Sequence, residues 1–185
     1  MVGDQRVLDW SVAAANSVSV GVVVVLPEAE AAREGGVVGG TTRSESVRRG
    51  LAAVPEEATI ICVHDAARPF ASEHLFREVV AAVRGGADGA VPALSVTDTI
   101  KQVDVHNVVI STPNRDGLVA VQTPQAFRAS VLRLAHAEEP EGTDDAQLVE
   151  ALGRRVVVVP GEALNRKLTT REDLDWARAS TRSEV

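Results

Sequence analysis

Acidic, basic and small residues follow an apolar stretch at 59–64. Asp65 comes first, and two alanines separate it from Arg68. A carboxylate in this position can bind a ribose hydroxyl or a metal ion, and an arginine can bind phosphate through two parallel hydrogen bonds. An Asp65–Arg68 ion pair that only stabilises a turn is the alternative. The density of polar groups directly after an apolar segment favours a functional site.

A glycine pair opens a second candidate site. Gly39 and Gly40 precede Thr41 and a helical stretch that contains Arg43 and Ser46. Glycines before a helix N-terminus allow backbone N–H groups to approach a ligand closely. Arg43 and Ser46 are about one helical turn apart, so both can face the same point. An ordinary loop with an N-capping serine is the competing explanation.

Further polar residues occur in four short motifs. They are Asp98-Thr99-Ile100-Lys101 with Arg115, Thr123-Pro124-Gln125, Thr143-Asp144-Asp145-Ala146, and Asn165-Arg166-Lys167-Leu168-Thr169. Thr99 and Arg115 could bind a phosphate, or these charges could serve only the solubility of exposed strands. Thr143 could equally be a helix cap. The 19 basic residues include only two lysines, so Lys167 could mark a need for a compact ammonium group, although arginine-rich codon usage explains most of the bias.

Alternating strands and helices must position these groups. Apolar or β-branched runs predict strands at 17–26, 59–64, 89–93, 119–123 and 156–160. Amphipathic or capped stretches predict helices at 6–15, 43–53, 72–84 and 129–137, another from Thr143, and a last one opened by a capping box at 169–172. This order predicts an α/β fold with an open, mostly parallel sheet. Ligands bind beyond the carboxyl ends of strands in such sheets, where these motifs fall.

Residues 97–116 differ from the rest of the chain in their pattern of apolar and polar residues. Two β-rich pieces, 99–103 and 108–112, flank a polar turn at 104–107. The pattern predicts a hairpin that protrudes from the main body. A two-stranded hairpin is marginally stable alone, so we expect this one to act as a dimerisation arm that builds a homodimer.

Composition limits the possible classes of protein. The 185 residues fit one domain, 1–185, and the net charge of -7 argues against a nucleic-acid partner, which would require a basic face. The single cysteine, Cys62, cannot form an internal disulfide, and with His64 it is expected to be structural. No signal peptide is visible, and the longest apolar run is too short to span a bilayer. We therefore expect a cytoplasmic protein without a membrane association.

In their order and spacing, the motifs resemble the 2-C-methyl-D-erythritol 4-phosphate cytidylyltransferase family. The most specific pieces are Gly-Gly-x-x-Arg-x-x-Ser-Val-x-x-Gly-Leu from Gly39 and His-Asp-Ala-Ala-Arg-Pro from His64. The others are Asp-Thr-Ile-Lys from Asp98, Arg-x-Gly-Leu from Arg115, Gln-Thr-Pro-Gln-x-Phe from Gln122, Thr-Asp-Asp-Ala from Thr143 and Lys-x-Thr from Lys167. The resemblance runs from about Arg6 to Ala177.

The resemblance implies a fold and a reaction. The fold would be the Rossmann-like, open-sheet type of the nucleotide-diphosphosugar transferases. The reaction would transfer a cytidylyl group from CTP to 2-C-methyl-D-erythritol 4-phosphate with Mg²⁺, release pyrophosphate, and serve non-mevalonate isoprenoid precursor biosynthesis. Positioning and charge stabilisation would then do most of the catalytic work, without a covalent intermediate.

The resemblance also implies roles for single residues. The catalytic residues would be Lys167, Arg115 and Asp65, with Asp65 a candidate Mg²⁺ ligand. The nucleotide-binding residues would be Gly39, Gly40, Thr41, Arg43, Ser46 and Asp65. The residues that bind the polyol phosphate would be Arg68, Thr99, Arg115, Thr123, Thr143 and Lys167, with Thr99 and Arg115 reaching across from the arm of a partner subunit.

The sequence departs from the family pattern at its start. The family opens with a strand and a loop similar to Pro-Ala-Ala-Gly-x-Gly-x-Arg, followed by a lysine, and these residues have no counterpart here. Arg166 also stands where the family usually has an apolar residue. Because the loop would cradle the triphosphate, we expect residues 1–185 alone to have little cytidylyl transfer activity.

Three interpretations follow. The first is a true cytidylyltransferase whose initial segment is missing from this sequence. The second is a non-catalytic dimeric homologue that binds a sugar phosphate or a protein partner. The third is a cytidylyltransferase for another polyol phosphate, such as ribitol 5-phosphate. Retained site residues favour the first, and the absent loop favours the second.

Overall fold

A computed structural model describes residues 1–181. Its α-helices are α1 (Val7–Asn16), α2 (Glu28–Glu34), α3 (Arg43–Ala53), α4 (Glu73–Arg84), α5 (Ala129–Ala135), α6 (Asp145–Ala151) and α7 (Arg171–Ser180). Its strands are β1 (Val25–Leu26), β2 (Val37–Val38), β3 (Ile60–Val63), β4 (Gly89–Ser95), β5 (Gln102–Val103), β6 (Val109–Ser111), β7 (Val119–Val121), β8 (Gln125–Arg128) and β9 (Val156–Pro160).

The main sheet has five strands. β8 lies between β3 and β4 and runs antiparallel to both, so β3 and β4 point the same way. β9 pairs in parallel with the other edge of β4, and β7 pairs antiparallel with its C-terminal half. The expected α/β class is confirmed. A mostly parallel sheet had been expected, but in the described main sheet only β4 and β9 pair in parallel. The pairings of β8 with β3 and β4 and of β7 with β4 are antiparallel.

Helices cover this sheet in two apolar clusters. Leu51, Ile61 and Phe127 belong to the cluster that joins α3, α5 and α6 to the sheet. Ile60 and Cys62 pack instead against the cluster of α4 with β4 and β8. Because neighbouring strand residues point to opposite faces, β3 contributes to both clusters and is covered on both sides.

The strand predicted at 17–26 was largely wrong. Only β1 forms, and it pairs with β2 in a separate two-stranded parallel sheet. Gly21 to Val24 carry no strand pairing. A strand requires a neighbour along its edge, and β1 has one only at the side of β2. The β-branched composition of the run was therefore a correct sign of burial but not of pairing.

Helix caps follow the sequence signals with one change of register. Ser72 accepts a hydrogen bond from the backbone N–H of Leu75 and starts α4 as predicted. The last helix, α7, begins with a capping box formed by Thr170 and Asp173, one position later than expected. The backbone N–H groups of Thr169 and Thr170 both donate to the Asp173 carboxylate, and these hydrogen bonds lower its pKa far below the usual range.

The predicted hairpin is present. β5 and β6 pair antiparallel, with Gln102 opposite Ser111 and Val103 opposite Val109. Its apolar side chains are unusually open to solvent: Val105 is 92% exposed and Ile110 is 61% exposed. No helix within residues 1–181 combines the length and apolarity that crossing a membrane would require.

Candidate active site

Asp65, directly after β3, is the centre of a cluster of charges. Its carboxylate lies 2.8 Å from the ammonium of Lys167. The guanidinium groups of Arg43 and Arg68 approach the same carboxylate to 3.8 and 4.0 Å. Arg43 and Lys167 come from segments distant in sequence, whereas Arg68 lies three residues after Asp65, and all three bring their cations to one carboxylate near the end of a strand.

Hydrogen bonds fix the backbone of Asp65. Its N–H donates to the hydroxyl of Thr123 at 3.0 Å, and this hydroxyl lies 3.0 Å from Nδ1 of His64. The other ring nitrogen, Nε2, lies 3.1 Å from the carbonyl oxygen of Arg68, which can only accept, so Nε2 carries the proton. Burial lowers the pKa of His64 to about 4, which keeps the ring neutral near pH 7. Both ring nitrogens of His64 therefore have partners within the protein, and its structural role stays a prediction.

Buried residues to which the sequence analysis assigned no role fix the position of Arg68. Its guanidinium donates to the backbone carbonyl of Asn165 at 2.8 Å. The fully buried side chain of Asn165 donates to the carbonyl of Thr123, and the amide of Gln122 donates to the carbonyls of Glu162 and Asn165. This network joins the segment after β9 to the segment before β8. Gln122 and Asn165 each open a motif named in the sequence analysis, but neither had been given a role.

Lys167 is positioned by a backbone hydrogen bond of the residue that follows it. The backbone N–H of Leu168 donates to the carbonyl of Ala67 at 2.8 Å, which holds the segment of Lys167 against the turn after β3. The side chain of Lys167 is 44% exposed, so a solvent-borne ligand can reach its ammonium. Arg166 points elsewhere: it pairs with Asp173 at 2.7 Å and lies 5.5 Å from the ring centre of Trp176.

The glycine loop is closed by its own helix. The N–H of Gly40 donates to the Ser46 hydroxyl at 3.0 Å, and the N–H of Thr41 donates to the Glu45 carboxylate at 2.6 Å. Thr42, rather than a serine, caps α3. A Cβ atom on Gly40 would lie only 2.3 Å from the Glu45 side chain, so this position requires glycine. Hydrogen bonds from the backbone and hydroxyl of Thr41, with Arg49, lower the pKa of Glu45 to about 2.

A buried ion pair joins this loop to α6. Arg43 donates to the Asp145 carboxylate at 2.7 Å, and Asp145 is fully buried. Nε2 of His136 lies 2.9 Å from the other oxygen of Asp145. Since Arg43 also approaches Asp65, the guanidinium connects the glycine loop, the end of β3 and the start of α6. Asp145 had been named only as a member of the motif from Thr143, and His136 belonged to no motif.

The remaining predicted residues lie at different distances from this cluster. Thr143 is exposed just before α6 and donates through its N–H and hydroxyl to the Gln147 side chain. Arg115 donates to the carbonyl of Thr97 within the arm region. In the described part of the chain, no hydrogen bond or ion pair joins Thr99 or Arg115 to Asp65. Their assigned roles depend on a partner subunit and stay predictions.

A Mg²⁺ ion would find few protein ligands here. Within residues 1–181, no three His, Cys, Asp or Glu side chains are grouped to hold a metal ion. Asp65 supplies one carboxylate beside a solvent-accessible space. Mg²⁺ is often bound in this manner, through one or two carboxylates and the phosphates of a substrate. The residues therefore fit an ion that arrives with a nucleotide.

Comparison with known proteins gives a consistent result. The family model for 2-C-methyl-D-erythritol 4-phosphate cytidylyltransferase (IspD) matches residues 1–183. The chain belongs to this family. It is 49% identical to the 2-C-methyl-D-erythritol 4-phosphate cytidylyltransferase of Nocardia farcinica over 84% of its own length, and 50% identical to that of Rhodococcus jostii over 77%.

Its fold agrees with solved members of the family. The crystal structure of the Thermus thermophilus cytidylyltransferase superposes with a TM-score of 0.88 at 38% identity and covers 98% of this chain and 92% of that one. The alignments to the Nocardia and Rhodococcus proteins cover 66% and 63% of those proteins' own lengths. The chain thus spans just under two thirds of the length of these two relatives.

Proposed function

We propose that this family member acts in the transfer of a cytidylyl group from CTP to 2-C-methyl-D-erythritol 4-phosphate, with release of pyrophosphate. The observation that carries the proposal is the convergence of Lys167, Arg68 and Arg43 on Asp65 at the end of β3. Such a cluster of cations suits phosphates, and a single central carboxylate suits a ribose hydroxyl or a metal ion. The family membership names the substrates.

In this mechanism the residues position phosphates and stabilise charge. A phosphate oxygen of the polyol phosphate attacks the α-phosphorus of CTP, and the bond to the pyrophosphate oxygen breaks. Lys167, whose ammonium is exposed, neutralises charge on the reacting phosphate, while Arg68 holds the polyol phosphate side from its anchor on Asn165. A bound Mg²⁺ would supply further charge neutralisation between phosphate oxygens, and Asp65 is the residue placed to hold it.

Lys167→Ala tests this proposal. The assay follows the cytidyl diphosphate alcohol and pyrophosphate formed from CTP, methylerythritol phosphate and Mg²⁺, in a protein that carries a family-like strand and glycine-rich loop ahead of Met1. We expect the substitution to reduce turnover about 10²–10³-fold, the usual cost of one preorganised charge-stabilising group.

Arg166→Ala is the matched control for Lys167→Ala. It also removes one positive charge from this segment, but Arg166 pairs with Asp173 rather than with Asp65. We expect turnover within about threefold of the parent, because Arg166 is half exposed and the Asp173 carboxylate keeps its hydrogen bonds from Thr169 and Thr170. Equal losses in both variants would contradict the proposed role of Lys167. Faster turnover with ribitol 5-phosphate than with methylerythritol phosphate would assign ribitol 5-phosphate as the substrate. If neither polyol phosphate gave a product, a non-catalytic homologue would be favoured.

We further propose a homodimer formed through residues 97–116. The support is the exposed apolar surface of the arm, where Val103, Val105, Val108, Val109 and Ile110 are each between 46% and 92% exposed. A partner that covers them would remove apolar surface from water and would bring a second Arg115 to the site. We place the protein in the cytoplasm, where a single free thiol such as Cys62 stays reduced.

Deletion of 99–112 tests the dimer. We expect the shortened chain, joined by a short glycine linker, to be monomeric by sedimentation equilibrium, while the parent is dimeric. Because the arm is separate from the main sheet, the deletion is expected to leave the circular dichroism of the rest unchanged. A shortened chain that remains dimeric would place the interface elsewhere.

A further inference from the structure

A segment without regular structure carries Lys167. Residues 161–170, between β9 and α7, form neither a helix nor a strand. Lys167 lies between two anchored residues of this segment: Asn165, whose backbone carbonyl accepts hydrogen bonds, and Leu168, whose N–H donates to the carbonyl of Ala67. Such a segment has no hydrogen-bonded ladder of its own, so its position depends on the groups elsewhere in the protein that pair with its backbone.

The side chain of Gln122 makes four hydrogen bonds to this segment. Its amide nitrogen donates to the backbone carbonyls of Glu162 and Asn165 at 2.9 and 3.2 Å. Its amide oxygen accepts from the backbone N–H of Glu162 at 3.1 Å and from the side-chain amide of Asn165 at 3.3 Å. A glutamine amide has two donors and two acceptor positions, so the segment uses the whole hydrogen-bonding capacity of Gln122.

The backbone of the segment fixes the orientation of this amide. The two carbonyls can only accept and the N–H of Glu162 can only donate, so a flipped amide of Gln122 would oppose like groups at three contacts. Gln122 is 5% exposed, and a buried polar group that loses its partner costs free energy. The amide therefore favours one position of the segment over all others.

Close packing at Gly161 restricts the same segment where it leaves β9. The N–H of Gly161 donates to the carbonyl of Ala93 in β4 at 2.8 Å. A Cβ atom on Gly161 would lie 2.8 Å from the amide oxygen of Gln122 and 2.9 Å from the backbone carbonyl of Ala93. Since no side chain fits there, the path of the segment is fixed against Gln122 from its first residue.

From these contacts we propose that Gln122 is a positioning residue for Lys167. Its amide holds the residues that precede Lys167 in the one arrangement that brings the ammonium to the Asp65 carboxylate, at 2.8 Å. The amide acts through Glu162 and Asn165, to which its four hydrogen bonds run. The alternative is an amide that only stabilises the fold. In that case Lys167 would keep its position in any folded variant of Gln122.

The inference rests on the proposed function only for its catalytic meaning. A misplacement of about 1 Å by a residue outside the reacting groups can cost roughly 10²-fold in rate, so turnover would depend on the amide of Gln122. The position of Lys167, however, is measurable in residues 1–185 without substrates. Failure of this measurement leaves the assay of Lys167→Ala intact, and failure of that assay leaves the positioning intact.

NMR of lysine labelled with ¹³C at Cε reports on Lys167 directly. The chain has two lysines, so two methylene signals are expected, and Lys101→Arg assigns the remaining signal to Lys167. Lys101 lies in the arm region, where its ammonium donates to Thr112, and it serves as the internal reference. Asp65→Asn calibrates the response. We expect it to displace the signal of Lys167 and to leave that of Lys101 unchanged, because only Lys167 pairs with Asp65 among the two lysines.

Gln122→Leu tests the amide itself. It keeps an apolar side chain of similar size but removes all four hydrogen bonds, and we expect it to displace the Lys167 signal at least about half as far as Asp65→Asn does. Gly161→Ala keeps the amide but crowds its contact with the segment, and we expect it to displace the same signal. Leu132→Ala is the control: it opens a cavity in the apolar cluster of α3, α5 and α6 and destabilises the fold, but it should leave the Lys167 signal in place.

Circular dichroism establishes that each variant is folded before its spectrum is recorded. An undisplaced Lys167 signal in folded Gln122→Leu would overturn the proposal, and if that variant does not fold, an undisplaced signal in Gly161→Ala would do so. An equal displacement in Leu132→Ala would also overturn it, because a general loss of stability would then be enough to move Lys167. An undisplaced signal in Asp65→Asn would remove the ion pair from which the proposal starts.

Discussion

Joining a family-like strand and glycine-rich loop ahead of Met1 is expected to raise pyrophosphate release from CTP and methylerythritol phosphate by at least about 10²–10³-fold. In residues 1–181, Arg43 and Lys167 are already paired with Asp65 or Asp145. A triphosphate carries several negative charges, so this cluster alone compensates few of them. Loss of one preorganised donor typically costs roughly 3–4 kcal/mol of transition-state stabilisation, and a loop of backbone N–H groups with an arginine and a lysine supplies several.

The comparison uses three proteins: residues 1–185, the same chain with the strand alone, and the chain with strand and loop. Only the third is expected to turn over measurably above background. If the strand alone restored activity, the missing contribution would be structural and the loop dispensable. If residues 1–185 were as active as the third protein, our assignment of the triphosphate site would be wrong.

Asp145→Asn is expected to lower the free energy of unfolding by about 2–4 kcal/mol, and the melting temperature by roughly 5–15 °C. The substitution removes the negative charge that faces Arg43 and His136 inside the protein. Breaking a buried pair costs about 3–5 kcal/mol because the remaining charge is uncompensated, but Arg43 keeps partial solvent access and its contact to Asp65.

Asp175→Asn is the control for this loss. Asp175 also pairs with an arginine, Arg178 at 3.1 Å, but its side chain is 60% exposed. We expect a change between about 0 and 1 kcal/mol. Urea titrations of both variants at pH 7 measure the difference. Similar losses of unfolding free energy in the two variants would show that burial does not make the Asp145 ion pair contribute more to stability than an exposed pair.

The Asp145 pair also predicts a dependence on pH. Burial raises the pKa of Asp145, but hydrogen bonds and attraction from His136 and Arg43 outweigh it, so the folded-state pKa lies below the usual value. A carboxyl group with a lowered pKa stabilises the fold above the unfolded pKa of about 3.9, and this contribution is lost as the pH falls further. The stability difference between the parent and Asp145→Asn should therefore shrink below about pH 4.

The sequence predicted which residues cluster near Asp65 better than it predicted the ion pairs and hydrogen bonds between them. Asp65, Arg68 and Lys167 were identified because each follows a strand or belongs to a motif, and the structure brings them together. Asp145 contacts both Arg43 and His136, and Arg43 lies 102 positions before it in the sequence. Such a pair depends on how helices pack over the sheet, and no local pattern records it.

Strand prediction failed at the short strand β2, at β8 and at 17–26, and the last two failures have different reasons. β8 was missed because Gln-Ala-Phe-Arg is short, follows Pro124 and mixes polar with apolar residues, although pairing with β3 and β4 makes it a central strand. The run at 17–26 has the composition of a buried strand, but composition describes only the surroundings that a segment prefers. Whether a neighbouring strand is present is decided elsewhere in the chain.

The side chain of Glu45 folds back and occupies a backbone N–H of the glycine loop that a ligand would otherwise bind. Its carboxylate already accepts from the N–H of Thr41, and with a pKa of about 2 it is ionised throughout the physiological range. An acceptor group on a ligand can reach this N–H only in exchange for Glu45. The ligand then gains only the difference in free energy between its own hydrogen bond to this N–H and the bond to Glu45 that it replaces. Selectivity at this loop therefore depends on how well an acceptor group of the ligand competes with the Glu45 carboxylate.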